Sequence, residues 1–319
     1  MDAEYRSRLV ADAEGGNPIA ERLLLLGLLG DNDRDEISAY LERLADDVHR
    51  RYLVAELQCF HGWPADESWQ AALRECAAAG HPEARNVVAL YDTWSTGGGW
   101  DDWQPPAWTG VISGDGLVVE RSDEFAPRPL VGFLRTILGP QLQPSAVIDP
   151  DSGEAIAHPV RINQSAQWFP EQLGWIGKLF EQRLAVAGGY DVAHGEVPSL
   201  LHYGPGQRYK AHLDCISRKQ AESPEGIEQG GQRTLTLLLS LGDDDYEGGE
   251  TWFPHFDAGA KARTGELLRF NNTDAAGEPL RNSLHAGQPL ASGEKWLLSK
   301  WVREKPTPYG REICLSGRN

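Results

Sequence analysis

The sequence predicts an α+β protein in which an all-α domain precedes a double-stranded β-helix, or jelly roll, with flanking helices. Residues 1–95 are rich in leucine, alanine, glutamate and arginine, and their apolar residues recur every three or four positions, which is typical of helices. Residues 96–120 interrupt this period with glycine, proline and tryptophan and are interpreted as a linker. Residues 121–319 alternate short apolar runs with glycine-containing turns, which indicates antiparallel strands.

The predicted all-α domain contains a degenerate internal repeat. Gly16-Asn-Pro-Ile-Ala20 matches Gly80-His-Pro-Glu-Ala84, and each copy places a proline near the first turn of a helix. A diverged third unit fits between them, around residues 45–63. The pattern resembles Sel1-like or tetratricopeptide-like repeats, in which stacked helix pairs bury their apolar faces against one another. The alternative is an ordinary helical cap on the second domain.

Within residues 121–319 the pattern predicts two helices, at Asp123–Leu138 and Glu171–Ala187. The strand candidates are β-branched or leucine-rich runs at Pro198–Tyr203, Thr234–Ser240, Glu266–Phe270 and Trp296–Trp301. Trp296 and Trp301 are assigned to the core of this domain.

Composition and charge exclude several function classes. The 319 residues carry a formal net charge of −17, which repels phosphate backbones, so no nucleic-acid partner is expected. The longest apolar run, Leu23–Leu29, is too short to span a bilayer, so no membrane partner is expected. The acidic N-terminus does not resemble a secretory leader, and the four cysteines form no CxxC motif. These features favour a cytoplasmic protein with free thiols.

Two histidines and an aspartate form the most informative pattern in the second domain. His212 and Asp214 stand two positions apart on a predicted strand, so their side chains point to the same side. His285 would come from another strand of the jelly roll. Two imidazoles and one carboxylate can bind one face of an octahedral iron(II) and leave the opposite face open. Lys295, ten positions after His285, could neutralise the far carboxylate of an anionic cosubstrate.

Four segments of the second domain resemble motifs of one enzyme family, and these segments are Leu201–Asp214, Gly230–Thr236, Gly248–Pro254 and His285–Trp301. The family is the iron(II)/2-oxoglutarate dioxygenases, specifically the prolyl 4-hydroxylase branch. The first segment resembles the tyrosine–glycine–tyrosine pattern that precedes the iron motif in this family. The second segment resembles a strand of the family that carries an arginine and a threonine. The third resembles a Gly-Gly-Glu-Thr-x-Phe-Pro turn, and the fourth the distal histidine and lysine–tryptophan strand. The similarity covers about residues 120–304, and its motifs follow the family's order.

The resemblance implies that His212, Asp214 and His285 hold Fe(II) and form the catalytic centre. It implies that 2-oxoglutarate is the cosubstrate, with ascorbate as a supporting reductant. The residues implied at the 2-oxoglutarate site are Lys295 and Thr236 at the C5 carboxylate, together with Tyr203 and Tyr209.

The resemblance also implies a substrate side to the site. Glu196 and Arg233 fall where the family places polar residues that face the substrate. Arg303 stands where the family often has a histidine, and the segment between Asp214 and Arg233 would lie over the mouth of the site. An alternative interpretation pairs Arg233 with Glu196 in a structural salt bridge.

The leading functional hypothesis is hydroxylation of an amino-acid side chain, foremost prolyl, in a peptide or protein, with succinate and CO2 as coproducts. Residues 1–95 would then recruit the peptide or protein partner. The alternative is hydroxylation of a free amino acid or another small molecule, with the helical domain serving dimerisation or stability. A different class, a non-catalytic helical-repeat scaffold, requires the second domain to have lost its chemistry. The sequence does not predict the oligomeric state.

Overall fold

The computed structural model describes residues 3–31, 33–61, 69–94, 103–145, 147–148, 155–156, 161–169, 174–216 and 230–315. Within these residues the α-helices are α1 (Ala3–Glu14), α2 (Pro18–Gly30), α3 (Arg34–Arg43), α4 (Asp47–His61), α5 (Trp69–Ala78), α6 (Pro82–Trp94), α7 (Arg128–Leu138), α8 (Trp175–Gly188) and α9 (Pro308–Leu315).

The strands of the same described residues are β1 (Trp108–Gly114), β2 (Leu117–Glu124), β3 (Gln143–Pro144), β4 (Val147–Ile148), β5 (Ala155–Ile156), β6 (Arg161–Ile162), β7 (Gln164–Gln167), β8 (Ser199–Tyr203), β9 (Arg208–His212), β10 (Arg233–Ser240), β11 (Glu247–Gly248), β12 (Thr251–Phe253), β13 (Ala258–Ala260), β14 (Glu266–Asn271), β15 (His285–Gly287), β16 (Leu290–Ser292) and β17 (Lys295–Arg303).

The chain divides into two compact units. The first contains residues 1–98, 169–181 and 313–319, and the second contains residues 99–168 and 182–312. The first unit holds α1–α6, and the second holds the described strands. The predicted order, a helical domain followed by a jelly-roll domain, is therefore confirmed.

The internal repeat marks two equivalent helix–turn–helix junctions in the first unit. Gly16 follows α1 with φ +85°, and Gly80 follows α5 with φ +103°. Only glycine adopts this left-handed backbone without strain, so these residues end the preceding helices. Pro18 and Pro82 then begin α2 and α6, where a missing N–H costs nothing. Both copies of the repeat therefore form the same helix–turn–helix junction. The assignment of the repeat to the Sel1 or tetratricopeptide class stays a prediction.

Two antiparallel sheets form the jelly roll of the second unit. The larger has eight strands in the order β1-β2-β14-β10-β17-β8-β7-β3, and the smaller has five in the order β13-β12-β15-β9-β6. One apolar cluster contains buried residues from both sheets, including Leu238 and Phe270 of the larger and Phe253 of the smaller. The rings of Phe253 and Phe270 meet edge to face with centroids 5.3 Å apart. The two sheets therefore share a core, as in a double-stranded β-helix.

The four predicted strands are confirmed as β8, β10, β14 and β17, with ends within two residues of those expected. The predicted linker is wrong over residues 108–120, because these residues form β1, the turn after it and the first half of β2 in the larger sheet. Residues 96–102 lie outside the described residues. The boundary predicted at 121 falls inside β2, and the boundary predicted at 95 stays a prediction.

The first of the two predicted helices of the second domain begins too early. The first starts at Arg128, because β2 continues to Glu124 and Pro127 precedes the first helical turn. The second is α8, which starts at Trp175. Residues 171–173, where that helix was predicted to begin, lie outside the described residues.

Cys76 and Cys215 are buried free thiols, as predicted. The side chains of Cys59 and Cys314 lie outside the described part of the structure. None of the described helices combines the length and the apolar character that crossing a bilayer requires.

Candidate active site

The three predicted metal ligands converge at one end of the five-stranded sheet. His212 ends β9 and His285 begins β15, and the two residues are direct partners across these strands. Asp214 follows β9 by two residues, and its carboxylate lies 3.5 Å from Nε2 of His212 and 3.7 Å from Nε2 of His285. One donor atom from each residue lies within 4.8 Å of the others. Among the described residues, no other group of histidine, cysteine and carboxylate side chains meets this criterion.

The backbone fixes both imidazole rings for metal binding. Nδ1 of His212 lies 2.8 Å from the carbonyl oxygen of Lys210, and Nδ1 of His285 lies 3.0 Å from that of Ser283. A carbonyl oxygen only accepts, so each Nδ1 carries the proton and donates it. In the neutral ring with Nδ1 protonated, Nε2 carries the free lone pair that binds a metal ion, and both Nε2 atoms face Asp214.

Burial and charge set the protonation states of the donors. Burial alone would raise the pKa of Asp214, but the imidazoles of His285 and His212 and a hydrogen bond from Thr236 hold it well below its usual range. Burial lowers the pKa of His285 to about 4, against the opposing charge of Asp214. At neutral pH the site therefore offers a carboxylate and a neutral His285 imidazole, which a divalent cation requires.

A cavity opens from these ligands into the jelly roll, between the two sheets. Tyr209 and His212 both line it although they are three positions apart, because the pairing of β9 with β15 shifts register between them. The ring of Tyr209 stacks on His212 with centroids 3.6 Å apart. Tyr203 and Lys295, which are partners across β8 and β17, also line the cavity.

Lys295 places a buried ammonium in this cavity. It is 5% exposed, its Nζ donates to the carbonyl oxygen of Gly249, and it lies 5.6 Å from the ring centroid of Tyr203. Burial lowers its pKa to about 8, although the charge of Glu250 opposes this shift. Among the described residues, no carboxylate forms an ion pair with Lys295. A buried cation with this surrounding favours an anionic ligand.

Two cavity-lining residues were missed from the sequence. Thr251, on β12, is buried and lines the cavity together with Lys295. Its signal was present, because it is the threonine of the segment Gly248–Pro254. Trp301 was assigned to the core but is only partly buried and also lines the cavity. Its signal was also present, because Trp301 stands six positions after Lys295 and strand alternation puts both residues on the same face of β17.

The role predicted for Thr236 is corrected. The side chain is buried, and its hydroxyl lies 2.7 Å from a carboxylate oxygen of Asp214 and 2.8 Å from the amide nitrogen of Asn272. The hydroxyl is therefore engaged on both sides and is not available to bind 2-oxoglutarate. Tyr203, Tyr209 and Lys295 line the cavity, and their roles at 2-oxoglutarate stay predictions.

The three predicted substrate residues form one ionic cluster. Arg233 binds Glu196 through two hydrogen bonds of 2.7 and 2.8 Å, and Arg303 donates to the same carboxylate at 3.0 Å. Burial alone would raise the pKa of Glu196, but both guanidinium groups lower it. The salt bridge between Arg233 and Glu196, which was the alternative interpretation, is therefore present.

Arg303 is corrected from a substrate residue to one that fixes Glu196. It is 5% exposed, and its Nε also donates to the carbonyl oxygen of Gly231 at 2.8 Å. Arg233 differs, because its guanidinium lies 3.7 Å above the ring of Trp301, which lines the cavity. Its role toward the substrate stays a prediction. Residues 217–229, most of the segment predicted to lie over the mouth, are outside the described residues.

Comparison with known proteins identifies the family. Residues 198–303 match the model of the 2OG-Fe(II) oxygenase superfamily. Prolyl 4-hydroxylase 1 of Arabidopsis thaliana is 30% identical over 211 residues, which cover 62% of this chain and 72% of that protein. The chain belongs to the 2OG-Fe(II) oxygenase superfamily. It is an iron(II)- and 2-oxoglutarate-dependent dioxygenase, and the non-catalytic scaffold hypothesis is wrong.

Other prolyl hydroxylases are similar to this chain over 34% to 95% of their own length. A putative prolyl 4-hydroxylase of Acanthamoeba polyphaga mimivirus is 33% identical over 45% of this chain and 59% of its own. The chain spans 34% of the rat prolyl 4-hydroxylase subunit alpha-1, at 28% identity. Among solved structures, the viral collagen prolyl hydroxylase of Paramecium Bursaria Chlorella virus-1 has a TM-score of 0.44 at 23% identity, covering 58% of this chain and 95% of that one.

The residues of this site fit iron(II) and 2-oxoglutarate, the two groups that the superfamily uses. Two imidazole Nε2 atoms and a carboxylate are a facial donor set for iron(II). The ammonium of Lys295, which has no carboxylate partner among the described residues, fits the dianion 2-oxoglutarate in the same cavity. Both cofactor predictions are therefore consistent with the chemistry of the side chains.

Proposed function

We propose that this dioxygenase hydroxylates a prolyl side chain in a peptide or protein. In this reaction one oxygen atom of O2 enters a substrate C–H bond as a hydroxyl group. The other oxidises 2-oxoglutarate to succinate and CO2. The observation that carries the proposal is the assembly of His212, Asp214, His285 and Lys295 around one cavity. The prolyl 4-hydroxylases among its relatives support the choice of substrate.

Each part of the site has a separate task in this proposal. His212, Asp214 and His285 would hold iron(II), which with 2-oxoglutarate supplies the oxidising chemistry when bound. Lys295 would bind the far carboxylate of 2-oxoglutarate, with Tyr203 along the same wall of the cavity. Trp301, held under the guanidinium of Arg233, would face the target ring of the substrate. The partly closed cavity between the sheets would keep water from the reacting atoms.

The pH dependence of 2-oxoglutarate binding tests the role of Lys295. The pKa of Lys295 in the ligand-free protein is about 8, and a dianion binds its protonated form. We expect affinity for 2-oxoglutarate to be nearly constant below pH 8. Above it, affinity should fall by about tenfold per pH unit, because the protonated fraction falls at that rate. Calorimetric titration with Mn(II) present measures this, and a flat profile up to pH 9.5 would contradict the role of Lys295.

A comparison of substrates tests the proposed class. Proline-containing peptides and a lysate of the source cells should show a mass gain of about 16 Da per hydroxylated residue, as insertion of one oxygen requires. We expect this gain with iron(II), 2-oxoglutarate and ascorbate, and not with the His212→Ala variant. Efficient hydroxylation of free proline or another amino acid, with peptides inert, would favour the small-molecule alternative.

We further propose that the helical unit recruits the protein substrate. A groove of about 660 Å³ opens on this unit, lined by residues of α1, α2, α3, α4 and α6. Concave surfaces of stacked helices commonly bind extended peptides. Arg43, which lies over the ring of Tyr40 at 5.6 Å, is an exposed cation on the wall of this groove.

The test of recruitment is a point substitution, because the helical unit also contains residues 169–181, and deleting residues 1–95 would remove Trp94 from Phe180. We expect Arg43→Glu to raise KM for the protein substrate and to leave KM for a short peptide unchanged. Arg74→Glu is a matched control, since Arg74 lies over Tyr91 at the same 5.6 Å but outside the groove. Equal KM values for both variants would reject recruitment by this groove.

We also infer a cytoplasmic location, which the free thiols of Cys76 and Cys215 support.

A further inference from the structure

A buried chain of hydrogen bonds reaches the carboxylate of Asp214 from a neighbouring strand. Oγ1 of Thr236 lies 2.7 Å from Oδ2 of Asp214, and Nδ2 of Asn272 lies 2.8 Å from the same Oγ1. Thr236 and Asn272 are 1% and 0% exposed, so water does not compete for these bonds. Thr236 is on β10, and Asn272 directly follows β14, its neighbour in the larger sheet.

Hydrogen counting fixes the direction of each bond. The carboxylate oxygens of Asp214 carry no hydrogen, so they only accept. Thr236 has one hydroxyl hydrogen and must donate it to Asp214. The partner of Thr236 on the other side must therefore be a donor, which assigns the Asn272 NH2 group to that position. No alternative orientation of the Asn272 amide keeps both bonds.

The backbone of Asn272 is held from three sides. Its N–H donates to the carbonyl oxygen of Thr234 at 2.8 Å, and its own carbonyl oxygen accepts from the N–H of Leu280 at 2.9 Å. The thiol of Cys215, the residue after Asp214, donates to the same carbonyl oxygen at 3.0 Å. Asn272 therefore holds the metal-binding segment twice, through its side chain at Asp214 and through its backbone at Cys215.

One buried atom shows that this arrangement has a cost. Oδ1 of Asn272 has no hydrogen-bond partner among the described residues. Leaving a buried amide oxygen without a donor is unfavourable, and such atoms are rare in folded proteins. Turning the amide to improve its position would break the bond to Thr236. The structure retains the unsatisfied oxygen and keeps the chain to Asp214 intact.

We propose that Thr236 and Asn272 are positioning residues for the metal centre. Together they hold the Asp214 carboxylate in one orientation between the two Nε2 atoms, so that it is preorganised for a cation. This inference rests on the proposed role of Asp214 as a metal ligand. Neither residue touches the metal ion or the substrate, and both act through Asp214. Outer hydrogen bonds of this kind usually contribute about 10- to 100-fold to metal affinity.

Metal affinity of the purified full-length protein tests the proposal, with Mn(II) titrated calorimetrically as the probe. We expect Thr236→Val to weaken Mn(II) binding by about 10- to 100-fold. Thr236→Ser keeps the hydroxyl group and should restore affinity to within a few-fold of the wild-type value. Thr234→Val is the matched control, because it makes the same change on the same strand. The Thr234 hydroxyl faces the carbonyl oxygen of Val302 instead of Asp214.

A second variant keeps the test decisive if Thr236→Val folds poorly. Asn272→Asp has nearly the same shape but replaces the donor to Thr236 with an acceptor, so it should also weaken Mn(II) binding. Thermal unfolding of Thr236→Val and Thr234→Val without metal is measured alongside, which separates a loss of positioning from a loss of stability. Equal Mn(II) affinity of Thr234→Val, Thr236→Val and Asn272→Asp would overturn the proposal. A wild-type protein that binds no Mn(II) would instead overturn the metal centre, and the positioning role with it.

Discussion

The His212→Ala variant is expected to lose metal binding and turnover of 2-oxoglutarate while keeping its fold. His212 supplies one of three donors, and its side chain is the most exposed of the three, at 18% against 4% for Asp214 and 7% for His285. Truncating it therefore opens little buried space. Because losing a hydrogen bond behind a ligand already costs about 10- to 100-fold in affinity, removing a ligand should cost more than about 100-fold.

The measurement is Mn(II) titration together with succinate formation, and His202→Ala is the control. His202 is a partly buried histidine on β8 that does not line the cavity, and its ring packs against Trp296 at a tilt of 45° with centroids 4.3 Å apart. We expect that variant to bind Mn(II) like the wild type. If both histidine variants bind Mn(II) equally well, the metal ligands have been misassigned.

The Lys295→Met variant is expected to bind 2-oxoglutarate about 100- to 1000-fold more weakly, since removing one partner of a buried charge pair costs about 3–4 kcal/mol. Methionine keeps the apolar length of the side chain and removes its charge. Mn(II) affinity should stay within a few-fold of the wild-type value, because Lys295 contacts the cosubstrate side of the cavity.

The same variant should be more stable than the wild type when no ligand is bound. Burial lowers the pKa of Lys295 to about 8, so the charged form is disfavoured in the ligand-free fold. At pH 7 a neutral side chain avoids that cost, and thermal unfolding should shift upward. Lys261→Met is the control, since Lys261 is a nearby cation whose Nζ donates to the carbonyl oxygen of Tyr246 at 2.8 Å. If both variants lose the same 2-oxoglutarate affinity, the loss is a general effect of removing a positive charge and does not support a specific role of Lys295.

The sequence was sufficient to place His212 and Asp214 together because two residues that stand two positions apart on a strand point to the same side. His212 and Asp214 share one side of the chain by strand geometry, and the partner strand brings His285 opposite His212. Lys295 was predicted from its spacing of ten residues after His285 and from the family resemblance, and the structure pairs it with Tyr203 across β8 and β17.

The errors have a different origin, because they concern contacts between distant segments. The Thr236 hydroxyl has two polar neighbours, Asp214 and Asn272, and sequence spacing gives no measure of either distance. Arg303 lies beside Glu196 because β10 and β17 pair Arg233 with Arg303, which places two cations at one carboxylate. A register of this kind is set by the whole sheet and cannot be read from either strand alone.

Strands β1 and β2 were also missed, and for a related reason. They follow a segment rich in glycine, proline and tryptophan, and the burial pattern of β1 leaves most of its residues exposed at the edge of the sheet. An edge strand lacks the strong alternation that identifies strands in a sequence. The turn between them, at Asp115 and Gly116, has positive φ at both residues, which is typical of a two-residue hairpin loop.

Calorimetric titration of 2-oxoglutarate into the anaerobic protein, with and without Mn(II), tests the central claim most directly. That claim has two parts. His212, Asp214 and His285 hold a cation, and the ammonium of Lys295 orients the cosubstrate toward this cation. The predicted result is one binding site per chain, tight with Mn(II) and much weaker without it, and lost in Lys295→Met. Binding that is indifferent to Mn(II) and to Lys295, or no binding under either condition, would contradict the account.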